Sequence, residues 1–453
     1  MLIYLLLLLI ILLWLISYIF TQKDILSPPS VFCEIFIVSI LFCIPNLEKW
    51  NFDMGERTFF VIFLGILFFC IGYFFFYSSK KILNRQLVLQ EYEVKKIVIP
   101  VYKMIIFTFI QLLTIYFIYM GLNEFPGNTI FERIMSYRLS ILDNNGYENK
   151  MPTYIMSLYT FCYSGIQVVI YMLVNNFNIN KKIKSLYIIN ILLIVMMSFM
   201  FGNRTQVMGI MVYFIVIMYI YYLRKNMWNA KIKLKTYIKI LAIVILVLIA
   251  FPTVGIFLVG RGDENYFSQM NIINLVWEQL SIYIGAPLKL LDLYLYTDYG
   301  MNYNFPIAFA TFKEFYTWIG LKLNIFSWVN VTEFGGFRYD NGISLGNVYT
   351  TFLNFFVDFG FIGVIIFSFI MGCIMAYVFI KVKYKSGIKN SKIDFALIIY
   401  AYIFSEFIFS FFTNRVFSLI FSYVFFKAVI SIIIFSYLFI EKKDKRRSCN
   451  DKI

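Results

Sequence analysis

Histidine is absent from all 453 residues. Its absence excludes histidine metal ligands, histidine general bases and every nucleophile activated by a Ser-His or Cys-His pair. Membrane acyltransferases and intramembrane zinc proteases, which work through histidine, are excluded with it. Charge is scarce as well, at 14% of residues against about 25% in soluble domains. The cysteines are Cys33, Cys43, Cys70, Cys162, Cys373 and Cys449. Five lie in apolar runs and one in the C-terminal tail, with no C-x-x-C pair, so neither a disulfide nor a zinc site is expected. There is no P-loop motif, and no D-x-D pair in the segments expected outside the membrane. No metal and no cofactor are expected.

What the chain has instead is apolar length. It is 61% hydrophobic, and runs of about 20 apolar residues, the length that crosses a bilayer core, recur from end to end. The runs are continuous and do not alternate, so they read as helices, which satisfy their own backbone in lipid. The first, Leu2 to Phe20, lacks a basic flank and a small-residue cleavage site and reads as an anchor. Spans are expected near 2–20, 28–45, 58–77, 98–121, 153–174, 186–202, 207–223, 239–260, 360–380, 393–412 and 417–440. The expected fold is therefore an all-α polytopic bundle of about 11 spans, one integral membrane domain over 1–453.

The net charge of +15 is unevenly placed. With the C-terminus inside, the inner segments carry 26 Lys and Arg and the outer ones 12, although the outer segments are longer in total. The positive-inside rule then puts the C-terminus in the cytoplasm and the N-terminus outside. The excess charge meets anionic headgroups, and nucleic acid is not an expected partner. The inner loops are too short to fold as domains, which leaves no room for a nucleotide-sugar site. Chemistry is expected outside or within the membrane. The largest outer loop, 261–346, stays apolar and aromatic. Its segments IINLVWEQLSIYI and FATFKEFYTWIGL read as interfacial helices with Trp277, Trp318 and Trp328 at headgroup depth, punctuated by Pro287 and Pro306.

Candidate chemistry gathers on the outer side. Arg204 stands in the hairpin tip GNRTQ, Arg261 in GRGD directly after a span, Arg338 in EFGGFRYDNG, and Arg415 in the tip TNRV. A guanidinium offers a permanent charge and a planar fork that bonds two phosphate oxygens; the plainer reading is a side chain snorkelling to lipid phosphate. The outer acids Asp263, Glu264, Glu278, Glu314, Glu333, Asp340 and Asp358 include no evident choice of base. Asn347 to Gly363, NVYTTFLNFFVDFGFIG, is apolar with the single acid Asp358 and turns at Gly360 into a span. Glu406 and Lys427 lie in successive spans at similar depth, and a structural pair between them is expected.

The GNRTQ tip, the large outer loop after GRGD, and NVYTTFLNFFVDFGFIG closing that loop resemble bacterial O-antigen and capsule repeat-unit polymerases of the Wzy type. The plan of many spans with one late outer loop extends the resemblance over the whole chain. The related O-antigen ligases share the plan but rely on a loop histidine that this chain lacks. The resemblance implies a bacterial plasma-membrane enzyme that moves a growing glycan from one polyprenyl diphosphate onto the next lipid-linked unit. It implies a chain-length regulator and a flippase as pathway partners, and diphosphate-holding roles for Arg204 and Arg261. Arg338 and Asp340 complete the expected catalytic set; Arg415, Asn347 and Asp358 are the expected substrate-binding set. Two alternatives stand beside it: a lipid-linked oligosaccharide flippase, or a non-catalytic member of a glycan assembly complex. The sequence shows neither the internal repeat nor the broken helices common in transporters.

Overall fold

A computed structural model of the chain describes residues 1–83, 96–142, 151–180, 184–228, 272–297, 305–325, 328, 334–340, 343–384 and 393–441. The helices are α1 (Leu2–Phe20), α2 (Pro28–Cys43), α3 (Glu56–Leu83), α4 (Val101–Leu122), α5 (Ile130–Leu142), α6 (Thr153–Asn180), α7 (Ser185–Met200) and α8 (Arg204–Lys225). They continue as α9 (Ile272–Thr297), α10 (Lys313–Leu323), α11 (Thr351–Lys383), α12 (Phe395–Phe407), α13 (Arg415–Ile420) and α14 (Tyr423–Phe439). An antiparallel hairpin, β1 (Arg338–Asp340) and β2 (Ile343–Gly346), precedes α11. Eight of the expected spans lie mainly on one helix each, 393–412 runs past the end of α12, and 417–440 is divided between α13 and α14; 239–260 lies outside the described residues. Among the described residues, seven helices can cross a membrane by length and composition: α1, α2 with its 3-10 extension, α3, α4, α6, α8 and α11. The protein is a membrane-embedded helical protein. Helices α7, α12 and α14 are apolar but shorter.

The described residues cluster into two compact units. Unit 1 draws on 1–88, 231–382 and 403–425, and unit 2 on 89–230, 383–402 and 426–453.

In unit 1, α1, α2, α3 and α9 pack on one another. Lipid is as apolar as Phe, so helices gain by packing against each other and not by leaving lipid. The gain comes from stacked rings. Phe32 lies 4.1 Å from Phe69 and 5.5 Å from Phe407, and Phe36 lies 5.2 Å from Phe352. It also comes from close backbone approach. A Cβ on Gly285 of α9 would stand 2.8 Å from the Cys43 nitrogen of α2.

Two features of unit 1 depart from the expectation. Pro287 does not end a helix but sits inside α9. Its ring removes a backbone donor and crowds the preceding turn, and there the Ser39 hydroxyl of α2 donates to the Ile284 carbonyl at 2.6 Å. Nor does α9 lie on a surface as an interfacial helix. Leu280, Ile284, Leu288, Leu291 and Leu295 are buried, and so are Glu278, Ser281, Lys289 and Asp292.

Helix α11 is broken where the sequence places a turn. Phe359 (φ −145°, ψ 22°) and Gly360 (φ 60°, ψ −142°) leave the helical region. The Gly360 conformation is open essentially to glycine alone. A broken helix was not expected from the sequence.

In unit 2, α4, α6 and α7 pack together, and α8 lies on α6 and α7. Polar side chains join the helices, as intramembrane packing favours. Asn190 donates to Thr108 at 3.0 Å, and Gln111 donates to the Asn190 carbonyl at 3.2 Å. The Arg224 guanidinium meets the Asp394 carboxylate at 2.8 Å, both side chains almost wholly buried. Helix α5 opens on a capping box: the Glu132 N–H reaches the Thr129 hydroxyl at 3.2 Å, and the Glu132 carboxylate takes the Asn128 N–H at 2.6 Å. That Asn128 bond is foremost among those holding the Glu132 carboxyl below its usual range.

Candidate functional site

The polar groups of unit 1 gather on one stripe of α9. Glu278, Ser281, Gly285, Lys289 and Asp292 follow each other at steps of three and four, so they share a helix face. The stripe meets the connector between α2 and α3. Lys49 bonds Glu278 at 2.5 Å. Asp292 takes the Thr58 hydroxyl at 2.6 Å and the Gly55 N–H at 2.9 Å. Burial pushes the Asp292 carboxyl above its usual range, against those two bonds and the nearby Lys289. Between these two fastenings, Lys289 donates to the Asn51 carbonyl at 3.0 Å and lies 5.6 Å from the centre of the Phe52 ring.

The hairpin closes on the same stripe. The Asp340 Oδ2 stands 3.0 Å from Lys289 Nζ, with side-chain exposures of 26% and 7%. At the other end of β1, Arg338 donates to the Gly335 carbonyl (3.1 Å) and to the Thr297 hydroxyl at the end of α9 (3.3 Å). The Tyr349 hydroxyl ties the exit of the hairpin back to the Gly335 carbonyl at 2.8 Å. Asn347 stands half-buried just past β2. Arg338 and Asp340, two residues apart on a three-residue strand, are thus pinned to one helix.

The other expected site residues of unit 1 have structural partners. Asp358 closes the first segment of α11. Its carboxylate takes the Ala310 N–H (2.9 Å), the Thr311 N–H (2.8 Å) and the Thr311 hydroxyl (2.5 Å). Asn354 holds the Ala310 carbonyl at 2.8 Å and Asn414 holds the Thr311 carbonyl at 3.0 Å. Asp358 is thereby the clasp of the 306–312 loop. Next to Asn414, Arg415 lies 4.0 Å from Glu406. This overturns the expected pairing of Glu406 with Lys427: Lys427 donates to the Ser157 hydroxyl at 2.8 Å.

In unit 2, Arg204 opens α8, and only 5% of it is exposed. Its side chain is set into the protein. Arg138 of α5 donates to the Gly202 carbonyl, and Tyr159 donates to Gln206, so the GNRTQ tip is held from two sides. Arg261 lies outside the described residues, as do Asp263, Glu264 and Glu333.

The acids can now be told apart by what their oxygens do. Asp358 takes donors on both oxygens, Asp292 takes two donors on Oδ1 and is buried, Glu278 is joined to Lys49, and Glu314 is exposed. Asp340 alone among these is gripped through one oxygen by a buried cation, while its Oδ1 accepts no bond from the described residues. A carboxylate held on one side and open on the other is the arrangement a proton acceptor needs. Lys289 and Asp292 went unremarked in the sequence because both look like breaks in an apolar run. Their spacing with Glu278 and Ser281 was the available signal. Compared with known proteins, the chain matches no family model, no curated protein and no solved structure.

Proposed function

We propose that the protein is a repeat-unit polymerase of the bacterial plasma membrane, with its N-terminus outside and its C-terminus in the cytoplasm. It joins oligosaccharides carried on polyprenyl diphosphates at the outer face. A hydroxyl of the acceptor sugar attacks the anomeric carbon of the donor glycan. The new glycosidic bond forms as the bond from that carbon to the diphosphate oxygen breaks. The polyprenyl diphosphate leaves, and the hydroxyl proton passes to a carboxylate.

The observation that carries this reading is the half-held carboxylate of Asp340 beside Arg338. The carboxylate supplies the acceptor for one proton. The guanidinium supplies fixed positive charge where negative charge grows on the leaving diphosphate; the diphosphate-holding roles of Arg204 and Arg261 are carried by the resemblance alone. The motifs GNRTQ, GRGD and NVYTTFLNFFVDFGFIG, with the basic bias toward the inner loops, support the same reading. The break in α11 at Phe359 and Gly360 favours a second reading, a flippase for the same lipid-linked oligosaccharides.

Vesicles carrying purified protein and lipid-diphosphate-linked repeat units separate the two. A polymerase yields a ladder of glycan lengths, which Asp340→Asn removes. Transfer of units between leaflets without a ladder overturns the polymerase reading in favour of the flippase.

A further inference from the structure

Lys289 is a permanent-looking charge in a place where charge is expensive. It is an ammonium on an otherwise apolar turn of α9, with 7% of its side chain exposed. Three neighbours surround the ammonium. The Asp340 carboxylate stands at 3.0 Å, the Asn51 carbonyl at 3.0 Å, and the Phe52 ring covers a third side at 5.6 Å.

The surroundings hold it still. The connector that supplies Asn51 is fastened to α9 on one side by Lys49 and Glu278 at 2.5 Å, and on the other by Thr58 and Asp292 at 2.6 Å. The Asn51 carbonyl is therefore fixed against α9, and Lys289 is braced from behind. Asp340, by contrast, stands on a two-stranded hairpin, an element too small to hold a side chain rigid by itself. Its Oδ2 is fastened to Lys289 and its Oδ1 accepts no protein bond among the described residues.

We propose that Lys289 is a positioning residue for the transfer reaction: it orients Asp340 so that Oδ1 faces the acceptor hydroxyl, and never touches substrate itself. The inference rests on the polymerase reading and adds to it the group that aims the proton acceptor. A carboxylate displaced by about 1 Å loses on the order of 100-fold in rate, so the effect falls on kcat and leaves acceptor KM nearly unchanged.

The test uses full-length protein in vesicles with lipid-linked repeat units, together with thermal unfolding of each variant. Lys289→Met is expected to lower kcat by about 100-fold with KM within about threefold, and Lys289→Arg to recover at least part of the loss. The decisive variant exchanges the pair, Lys289→Asp with Asp340→Lys. It rebuilds the ion pair and folds, but leaves the carboxylate on the helix and the ammonium on the hairpin, so it makes no ladder. Lys289→Met that folds with wild-type kcat overturns the inference while the polymerase reading stands; an exchanged pair that polymerises overturns Asp340 as proton acceptor, and the inference with it. Wild-type protein that forms no ladder overturns the polymerase reading, and the inference falls with it.

Discussion

Asp358 and Thr311 are bound twice over: one carboxylate oxygen receives both the backbone N–H and the hydroxyl of Thr311, while the other receives the N–H of Ala310. Truncation leaves those donors inside the protein without an acceptor, at about 1–3 kcal/mol each. Asp358→Ala is expected to lower unfolding stability by about 2–4 kcal/mol. Ladder formation per folded molecule is expected to stay near wild type. Wild-type unfolding with selective loss of polymerisation would show that Asp358 serves the substrate after all.

Asp340 and Arg338 carry the opposite expectation. Asp340→Asn keeps the shape of the side chain and an oxygen facing Lys289 but cannot take a proton. It should lose on the order of 100-fold or more in rate with little change in unfolding. Arg338→Ala, Arg204→Ala and Arg261→Ala should each cost about 100-fold at about 1.4 kcal/mol per tenfold. Lys at these positions restores charge without the fork and should rescue poorly. Matched membrane expression and a glycan ladder read this out. If Arg204→Ala and Arg261→Ala both polymerise normally, the arginines are anchors.

At Gly285 the prediction concerns packing alone. Gly285→Val puts carbon where the Cys43 nitrogen and Phe42 carbonyl carbon of α2 stand, 2.8 and 2.9 Å from the new Cβ. The obstacle is backbone and cannot rotate away, so α2 and α9 must part. A loss of about 1–3 kcal/mol is expected, measured as a lower unfolding midpoint in mild detergent. An unchanged midpoint would mean that the two helices are not in contact in the membrane.

Glu406 and Arg415 should show coupling in a double-mutant cycle. Their side chains are 13% and 35% exposed and 4.0 Å apart, so solvent weakens the pair and about 1 kcal/mol is expected. Glu406→Gln, Arg415→Gln and the double variant, compared by unfolding, give the value. Strict additivity would remove the pair from the account.

The proposed orientation is open to labelling. In a cysteine-free background, Tyr339→Cys at a position 68% exposed should react with an impermeant maleimide added outside whole cells. A cysteine at 449 should react only after permeabilisation. The reverse pattern inverts the topology and removes the outer-face reaction.

Helix positions were legible in the sequence because they depend on runs of apolar residues, a local property. Gly360 was legible for the same reason: a glycine in FGFIG marks a turn without knowledge of its neighbours. Pro287 was misread because its effect depends on Ser39, which donates to Ile284, 245 positions on, in the turn that the proline disturbs. The pairing of Glu406 was misread because depth along a helix follows from counting residues, whereas the side of the helix that meets a partner does not. The grip of Lys289 on Asp340 joins a helix and a hairpin 51 residues apart. Among several outer acids, only that contact distinguishes one.

The stapling of the α2–α3 connector to α9 also dictates an order of events during synthesis. Thr58 leaves the ribosome 234 residues before Asp292. At about 5–20 residues per second, roughly 10–50 seconds pass between them. Throughout that interval the first three helices are made, while Ser39, Lys49 and Thr58 have no α9 to meet. The early chain must wait in the membrane with these groups served by water, headgroups or the insertion machinery. A nascent chain stopped before residue 272 should therefore be far more open to protease at the 46–58 connector than one stopped after residue 346.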